Sequence, residues 1–317
     1  MSKRIVIAGG TGLIGSALTQ RLSAQGAEVV LLTRDPARAE RRFAGLPHVR
    51  CSPWDGTSGA QLHGILENAS AVVNLAGESI GARRWTERQK RILMTSRIET
   101  TWSLVEAIHR TPSPPDVLVN ASAVGYYGNR DEGEIDEDEK PGDDFLAGIC
   151  EAWEAEALKA TEAGTRVVLT RTGVVLDARE GALTRFLPPF RMFVGGRLGS
   201  GAQWFPWIHR DDVTEGMLFA IGNPHVSGPI NLVAPEGIRM REFCRELGRT
   251  LGRPSWAPVP SFLLRLLLGE MAGPLVLSGQ HVVPAKLMRL GFRFRFPDLR
   301  EALNDLLNGE EERVVRR

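Results

Sequence analysis

The chain of 317 residues predicts a doubly wound α/β fold: a Rossmann-type parallel sheet covered by helices on both faces, followed by a small, mostly helical C-terminal lobe. Three observations carry that prediction. Short runs apolar at nearly every position recur through the first half, as strands covered on both faces require. Helix-compatible segments separate them, which is the rhythm of βαβ units. A glycine cluster joins the first run to the first helix.

Residues 5–8 make the first strand, and the glycine turn leads into a helix near 13–24. The run Glu28-Val29-Val30-Leu31-Leu32-Thr33 is the second strand. Ala71-Val72-Val73-Asn74-Leu75-Ala76, Val117-Leu118-Val119-Asn120-Ala121 and Arg166-Val167-Val168-Leu169-Thr170-Arg171 continue the sheet, with helices around 86–110 and 143–163 between them. The rhythm changes after about residue 178. Residues 179–210 are rich in Gly, Pro and aromatics and read as loops with short helices. Helical patterns follow at 211–222, 239–251, 261–269 and 298–308, and the charged segment 310–317 reads as a frayed end. The expected organisation is a nucleotide-binding domain over 1–235, with its core in 1–175 and lobe-forming segments within 179–210, and a C-terminal helical domain over 236–317. Ligands of open α/β sheets bind at the strands' carboxyl edge, so the lobe is expected to wall a pocket there.

Composition narrows the function classes. The 39 basic and 38 acidic residues nearly cancel, so no bulk field favours nucleic acid or an anionic membrane. Cys51, Cys150 and Cys244 are far apart, odd in number and without metal-ligand spacing, which fits reduced thiols in a cytoplasmic protein. The N-terminus runs straight into a strand, which leaves no room for a signal peptide. The late apolar segment 262–277 is interrupted by Arg265, Glu270, Gly273 and Pro274 and is too broken to span a bilayer. The expected partner is a small molecule, with no nucleic acid and no membrane, bound by a monomer or homodimer.

The stretch Val6-Ile7-Ala8-Gly9-Gly10-Thr11-Gly12-Leu13-Ile14-Gly15 carries the most information. Glycines at 10, 12 and 15 satisfy Gly-x-Gly-x-x-Gly, and those at 9, 12 and 15 the wider spacing. A lone glycine fingerprint is weak, but here it lies between a strand and a helix. Bare backbone there lets amides approach a pyrophosphate and aims the positive end of the helix dipole at it. Gly9, Thr11, Gly12, Leu13, Ile14 and Gly15 are therefore the expected dinucleotide cradle. At the end of the second strand, Thr33 and Arg34 stand where an NAD site normally places an acidic residue on the ribose. Arg38 follows one turn later, and a guanidinium suits a 2′-phosphate, so NADP(H) is favoured over NAD(H). Asp35 offers a carboxylate that could reach the ribose instead.

Further motifs in order resemble the extended short-chain dehydrogenase/reductase superfamily, the relatives of nucleotide-sugar epimerases and dehydratases. Asp55, after Trp54, matches its adenine-contacting acid. Asn74-Leu75-Ala76-Gly77 resembles its segment after the fourth strand, and Ser122-Ala123-Val124-Gly125-Tyr126-Tyr127-Gly128 its segment after the fifth. Trp207-Ile208-His209-Arg210-Asp211-Asp212-Val213 is similar to its late His-Val-x-Asp-Val segment. Arg83-Arg84-Trp85, Ser96-Arg97-Ile98, Trp153-Glu154 and the ending Pro284-Ala285-Lys286-Leu287 with Gly291-Phe292-Arg293-Phe294 resemble one subgroup. Its members carry a C-terminal domain of unknown function; some are labelled sugar-nucleotide epimerases, others cell-division inhibitors. The resemblance adds Asp55, Asn74, Leu75, Ala76, Gly77 and Arg97 to the expected cofactor contacts.

The resemblance breaks at the chemistry. The superfamily's mechanism needs a Tyr with a Lys four residues on, which lowers the phenol pKa from about 10. This chain has two tyrosines, Tyr126 and Tyr127, followed four residues on by Arg130 and Asp131. Motif alignment puts Leu146 at the tyrosine position, Cys150 at the lysine, Ala123 at the Ser/Thr and Arg97 at the Asn. Two readings stay open. The protein is an atypical NADP(H)-binding oxidoreductase or isomerase, nominally a nucleotide-sugar epimerase. In that case Tyr126, Tyr127, Ser122 and Glu78 are the candidate catalytic residues, and Arg97, Lys90 or Arg84 could lower the phenol pKa. Alternatively it binds NADP(H) without turnover, as a regulator such as one linked to cell division.

The bland readings stand beside these. Tyrosine pairs usually pack, and Glu78 could cap the following helix. Residues 131–139 are densely acidic but lack the ligand spacing of a calcium loop and read as a solvated loop, so no metal is expected. His209 could be a base or a backbone-bonded loop histidine. Arg185, Arg191 and Arg197 lie among aromatics and glycines, and by resemblance to sugar-nucleotide enzymes, where this region contacts the substrate's nucleotide, a phosphorylated or carboxylated ligand is expected there.

Overall fold

The computed structural model describes residues 3–59 and 62–315, with side chains through Asn308. Seven strands form one sheet: β1 (Arg4–Ala8), β2 (Glu28–Thr33), β3 (Val49–Pro53), β4 (Ala71–Asn74), β5 (Val117–Ala123), β7 (Arg166–Thr172) and β10 (Gly228–Leu232). Their order is β10-β7-β5-β4-β1-β2-β3, and β1 lies parallel to β2 and β4, β2 to β3, and β4 to β5. The order reverses between β1 and β4, which is the winding the apolar runs predict. Val6, Ala8, Val30, Leu32, Val72 and Leu118 pack on Leu104, Val105 and Ile108 of α4 (Glu87–Arg110) and Ala157 of α5 (Phe145–Leu158). The alternate residues Ile5, Ile7, Val29 and Leu31 are at most 2% exposed, so the opposite face is covered too. Each such side chain contributes about 1.5–3 kcal/mol by burial.

The chain groups into two compact units. The first comprises residues 1–123, 148–171 and 214–230; the second comprises 124–147, 172–213 and 231–317. The first holds the sheet with α1 (Leu13–Ala24), α2 (Pro36–Arg42), α3 (His63–Leu66) and α4. The second is built on an aromatic cluster: Phe205 and Phe243 have centroids 4.4 Å apart, and Phe186 meets Phe243 at 5.0 Å. Around it lie α6 (Leu183–Arg191), α8 (Met240–Leu251) and α11 (Leu299–Val315), with Trp207 of β9 (Trp207–His209) at 1% exposure. β9 pairs in parallel with β8 (Val174–Leu176). α7 (Arg210–Gly222), α9 (Ser261–Leu268) and α10 (Ala285–Arg289) complete the helices.

Three expectations are corrected. The acidic segment is not a loop: β6 (Arg130–Ile135) pairs in parallel with β11 (Gln280–Val282), and buried Ile135 holds it while residues 131–134 stay exposed. The charged end does not fray at 310, because α11 continues to Val315. β4 stops at Asn74, where its side chain bonds back to the Ala76 amide and turns the chain. Among the described residues no helix is long and apolar enough to cross a membrane.

Candidate functional site

The glycine turn in the first unit separates packing glycines from one left open. A Cβ on Gly15 would lie 2.3 Å from the Gly9 carbonyl oxygen, and one on Gly9, at φ +78, would lie 2.6 Å from Leu75. A Cβ on Gly10 would strike Leu31 of β2 at 2.6 Å. These three hold strand, helix and the 75–76 segment together. Gly12 differs. It is exposed, sits at φ −78, and a Cβ there would meet only the Gly9 oxygen at 3.5 Å. It caps α1 with no side-chain bond, so the first-turn amides of Leu13 and Ile14 receive no capping side chain from it. Bare backbone facing open space at a helix N-terminus fits a phosphate group.

At the end of β2, Thr33 Oγ1 accepts from the Asp35 amide at 3.2 Å, and Asp35 Oδ1 accepts from the Arg38 amide at 3.0 Å. Asp35 is therefore the N-cap of α2. Arg34 and Arg38 are exposed and enter no ion pair among the described residues. Asp55 is exposed, and its Oδ1 accepts from the Thr57 and Ser58 amides at 2.8 and 3.2 Å, bonds that lower its pKa.

Beneath the cradle, Asn74 is fully buried. Its amide donates to Thr101 Oγ1 at 2.8 Å and to Asn120 Oδ1 at 2.7 Å, while its oxygen accepts from Ala76. Trp153 Nε1 donates to the same Thr101 oxygen at 2.8 Å. Asn74 thus braces the segment 75–77, whose bare Gly77 lies against Arg97: a Cβ there would come 3.3 Å from Cζ. Arg97 is 9% exposed, with Cζ 5.2 Å from the Trp153 ring centroid. Burial lowers its pKa, opposed by Cys150 and Glu78. Glu78 is half-buried, and its amide donates to Ser96 Oγ; the helix cap is Thr86, which accepts from the Gln89 amide. Lys90 pairs with Glu87 at 3.4 Å.

Ser122 ends the buried chain of polar groups. Its hydroxyl donates to Glu154 Oε1 at 2.6 Å, and Arg171 grips Glu154 with two contacts of 2.9 Å. Cys150 lies one turn before Glu154, and burial first, then Glu154, push its thiol up to about 11. Sequence reasoning did not single out Arg171, Thr101 or Asn120. The signal was an arginine and an asparagine inside otherwise apolar strands, residue types that enter a core only when paired.

The two tyrosines belong to the second unit, where their rings meet edge-on at 5.3 Å. Tyr127 is 1% exposed and donates to Asn231 Oδ1 at 2.7 Å. Asn231 donates its amide hydrogens to Val283 and its backbone N–H to Glu137. Tyr126 is half-buried. His209 is fully buried; its Nδ1 accepts from the Asp211 amide at 3.0 Å, and burial lowers its pKa to about 4. An imidazole so enclosed does not suit a base in contact with substrate.

A glycine cradle on a doubly wound sheet defines a dinucleotide-binding α/β protein. Residues 5–232 match the NAD dependent epimerase/dehydratase family and residues 259–306 match a domain of unknown function, DUF1731. The chain belongs to that epimerase/dehydratase family. It is 42% identical over 310 residues to the chloroplastic epimerase family protein SDR39U1 homolog of Arabidopsis thaliana, covering 96% of this chain and 86% of that protein. The crystal structure of human epimerase family protein SDR39U1 with NADPH is 38% identical and superposes with a TM-score of 0.86, covering 96% of this chain and 99% of that one. A nucleoside-diphosphate sugar epimerase from Corynebacterium glutamicum is 31% identical with a TM-score of 0.75, covering all of this chain and 62% of that one.

Proposed function

We propose that the chain binds NADP(H) on its first unit and acts as an atypical oxidoreductase or epimerase of its family on a small phosphorylated or nucleotide-sugar substrate. The observation that carries this reading is the 38% identical human relative that was crystallised with NADPH. The first-turn amides of Leu13 and Ile14 hold the pyrophosphate, with Gly9, Thr11, Gly12 and Gly15 shaping the approach. Asp35 Oδ1 caps α2, and Thr33 with Arg34 and Arg38 receives a 2′-phosphate. Asp55 keeps Oδ2 for the adenine amine. The segment Leu75, Ala76 and Gly77 lines the remainder, braced by the buried Asn74 side chain.

When bound, the nicotinamide supplies hydride transfer; the residues supply position and the proton. Tyr126 is the proposed proton carrier. Glu78 is the second proton carrier. Direct titration with NADPH and NADH tests the binding claim, and loss of both would end it. Substrate-dependent bleaching of NADPH absorbance that vanishes in Tyr126→Phe tests the chemistry. Two observations favour a second reading, a binding protein without turnover: Ser122 is tied up internally and Cys150 is a neutral thiol. Tight NADPH binding with no hydride exchange across carbonyl compounds and nucleotide sugars selects that reading.

A further inference from the structure

Arg97 is a cation that the protein buries without neutralising. It is 9% exposed, and its one hydrogen bond among the described residues runs from Nη1 to the Leu93 carbonyl, 2.9 Å away in the preceding turn. A guanidinium carries five N–H donors and stays charged. Buried charges are ordinarily paired, so an unpaired one points to a partner that arrives with a ligand. Three nearby groups could neutralise it, and none does. Glu154 is held by Arg171 and Ser122. Cys150 is a protonated thiol at ordinary pH. Glu78 acts on Arg97 from a distance and forms no ion pair with it.

The surroundings place this charge next to the cradle and distinct from it. Gly9 packs on Leu75 and Ala76, and two residues on, Gly77 packs on the guanidinium. Trp153 of α5 lies under the charge. On the reading above the pyrophosphate sits at the start of α1, whereas the Arg97 guanidinium packs on Gly77.

Resting on the dinucleotide reading above, we propose that Arg97 is the anion-binding residue for a second ligand, a small substrate bearing a carboxylate or phosphate, seated in the first unit beside Trp153 and Cys150. A planar carboxylate can take two parallel N–H bonds from the fork, which is the strong form of this contact. The bare backbone at Gly77 leaves the guanidinium room to lie flat against the chain, and the Trp153 ring supports it from another side.

Calorimetry with oxalate, its neutral isostere oxamide and inorganic phosphate, on the protein saturated with NADPH, tests this. Oxalate or phosphate should bind the native protein and oxamide should not. Arg97→Gln should weaken the anion by roughly 10–100-fold while NADPH affinity stays within about threefold. Arg97→Lys keeps the charge but not the fork, and should bind the anion at an intermediate level; it carries the test if the glutamine variant fails to fold. Equal binding of oxalate and oxamide, no binding of either anion, or undiminished anion binding in Arg97→Gln would each overturn the proposal. A loss confined to NADPH would also overturn it, by assigning Arg97 to the dinucleotide's own phosphates. Should NADPH itself fail to bind the native chain, the dinucleotide reading falls, and the anion titration on the protein alone still judges Arg97.

Discussion

Ser122 Oγ lies 2.6 Å from Glu154 Oε1, and since a carboxylate only accepts, the serine proton points into the protein. Ser122 can accept from a ligand but has no proton left to donate. The same carboxylate takes two N–H bonds from Arg171, and both side chains of that ion pair are at most 6% exposed. Glu154→Ala strips Arg171 of its bidentate partner in the core and should cost about 3–5 kcal/mol. Ser122→Ala removes a single bond and should cost about 1 kcal/mol. Urea unfolding of the two variants checks the ordering, and equal midpoints would remove the pair from the account of stability.

Gly12 and Gly15 should separate binding from folding. Gly12→Ala places its Cβ in ordinary van der Waals contact with the Gly9 oxygen at an ordinary φ of −78, so the variant should fold with a stability within about 1 kcal/mol of the native chain. Its methyl stands where phosphate oxygens approach, so NADPH affinity should fall about tenfold or more. Gly15→Ala drives a Cβ to 2.3 Å from the Gly9 oxygen and should lower the melting temperature instead. A Gly12→Ala protein with native NADPH affinity would count against the cradle.

The sheet was legible in the sequence because its strands are buried on both faces, so Ile5, Ile7, Val29 and Leu31 leave no gaps in the apolar runs. The cradle was legible because only glycine tolerates the contacts at 9 and 15. The pairing of β6 was not. Its residues 131–134 are exposed and acidic, and what makes them a strand is a partner some 150 residues later, Gln280 to Val282. Asn74 was read as a ligand contact, yet its buried side chain is consumed by Thr101, Asn120 and Ala76, bonds that only the tertiary fold assembles.

The α2 cap makes cofactor choice separable. Asp35→Ala removes the bond to the Arg38 amide and should cost about 1 kcal/mol of stability without inverting the NADPH/NADH affinity ratio. Arg34→Ala should lower that ratio about tenfold with little change in melting. A ratio unmoved by Arg34→Ala and Arg38→Ala together would withdraw the 2′-phosphate assignment.

Tyr126 and Tyr127 touch, yet they should behave oppositely. Tyr127→Phe leaves Asn231 Oδ1 buried without its donor and should cost roughly 1–3 kcal/mol. It should leave the rate per folded molecule intact. Tyr126→Phe should lose turnover. Unfolding curves paired with NADPH oxidation rates distinguish them, and a Tyr126→Phe enzyme at native rate would eliminate Tyr126 as the proton carrier.

His209 gives the protein an acid sensitivity whose sign is fixed by its burial. The imidazole pKa falls from about 6.5 in the unfolded chain to about 4 in the folded one, chiefly because burial disfavours the charged ring. The unfolded chain therefore binds the extra proton between those values, so stability is full above pH 6.5 and is lost as pH falls toward 4. The loss is of order 3 kcal/mol at one pKa unit per 1.36 kcal/mol. Glu137 and Asp212, whose pKa values burial raises, act in the opposite sense, so the contribution must be read as a difference between proteins. His209→Gln cannot take up that proton and should flatten the slope of unfolding free energy between pH 7 and 4.5. Parallel slopes for the variant and the native chain would mean that the imidazole titrates normally and that its enclosure beside Phe296 does not govern its charge.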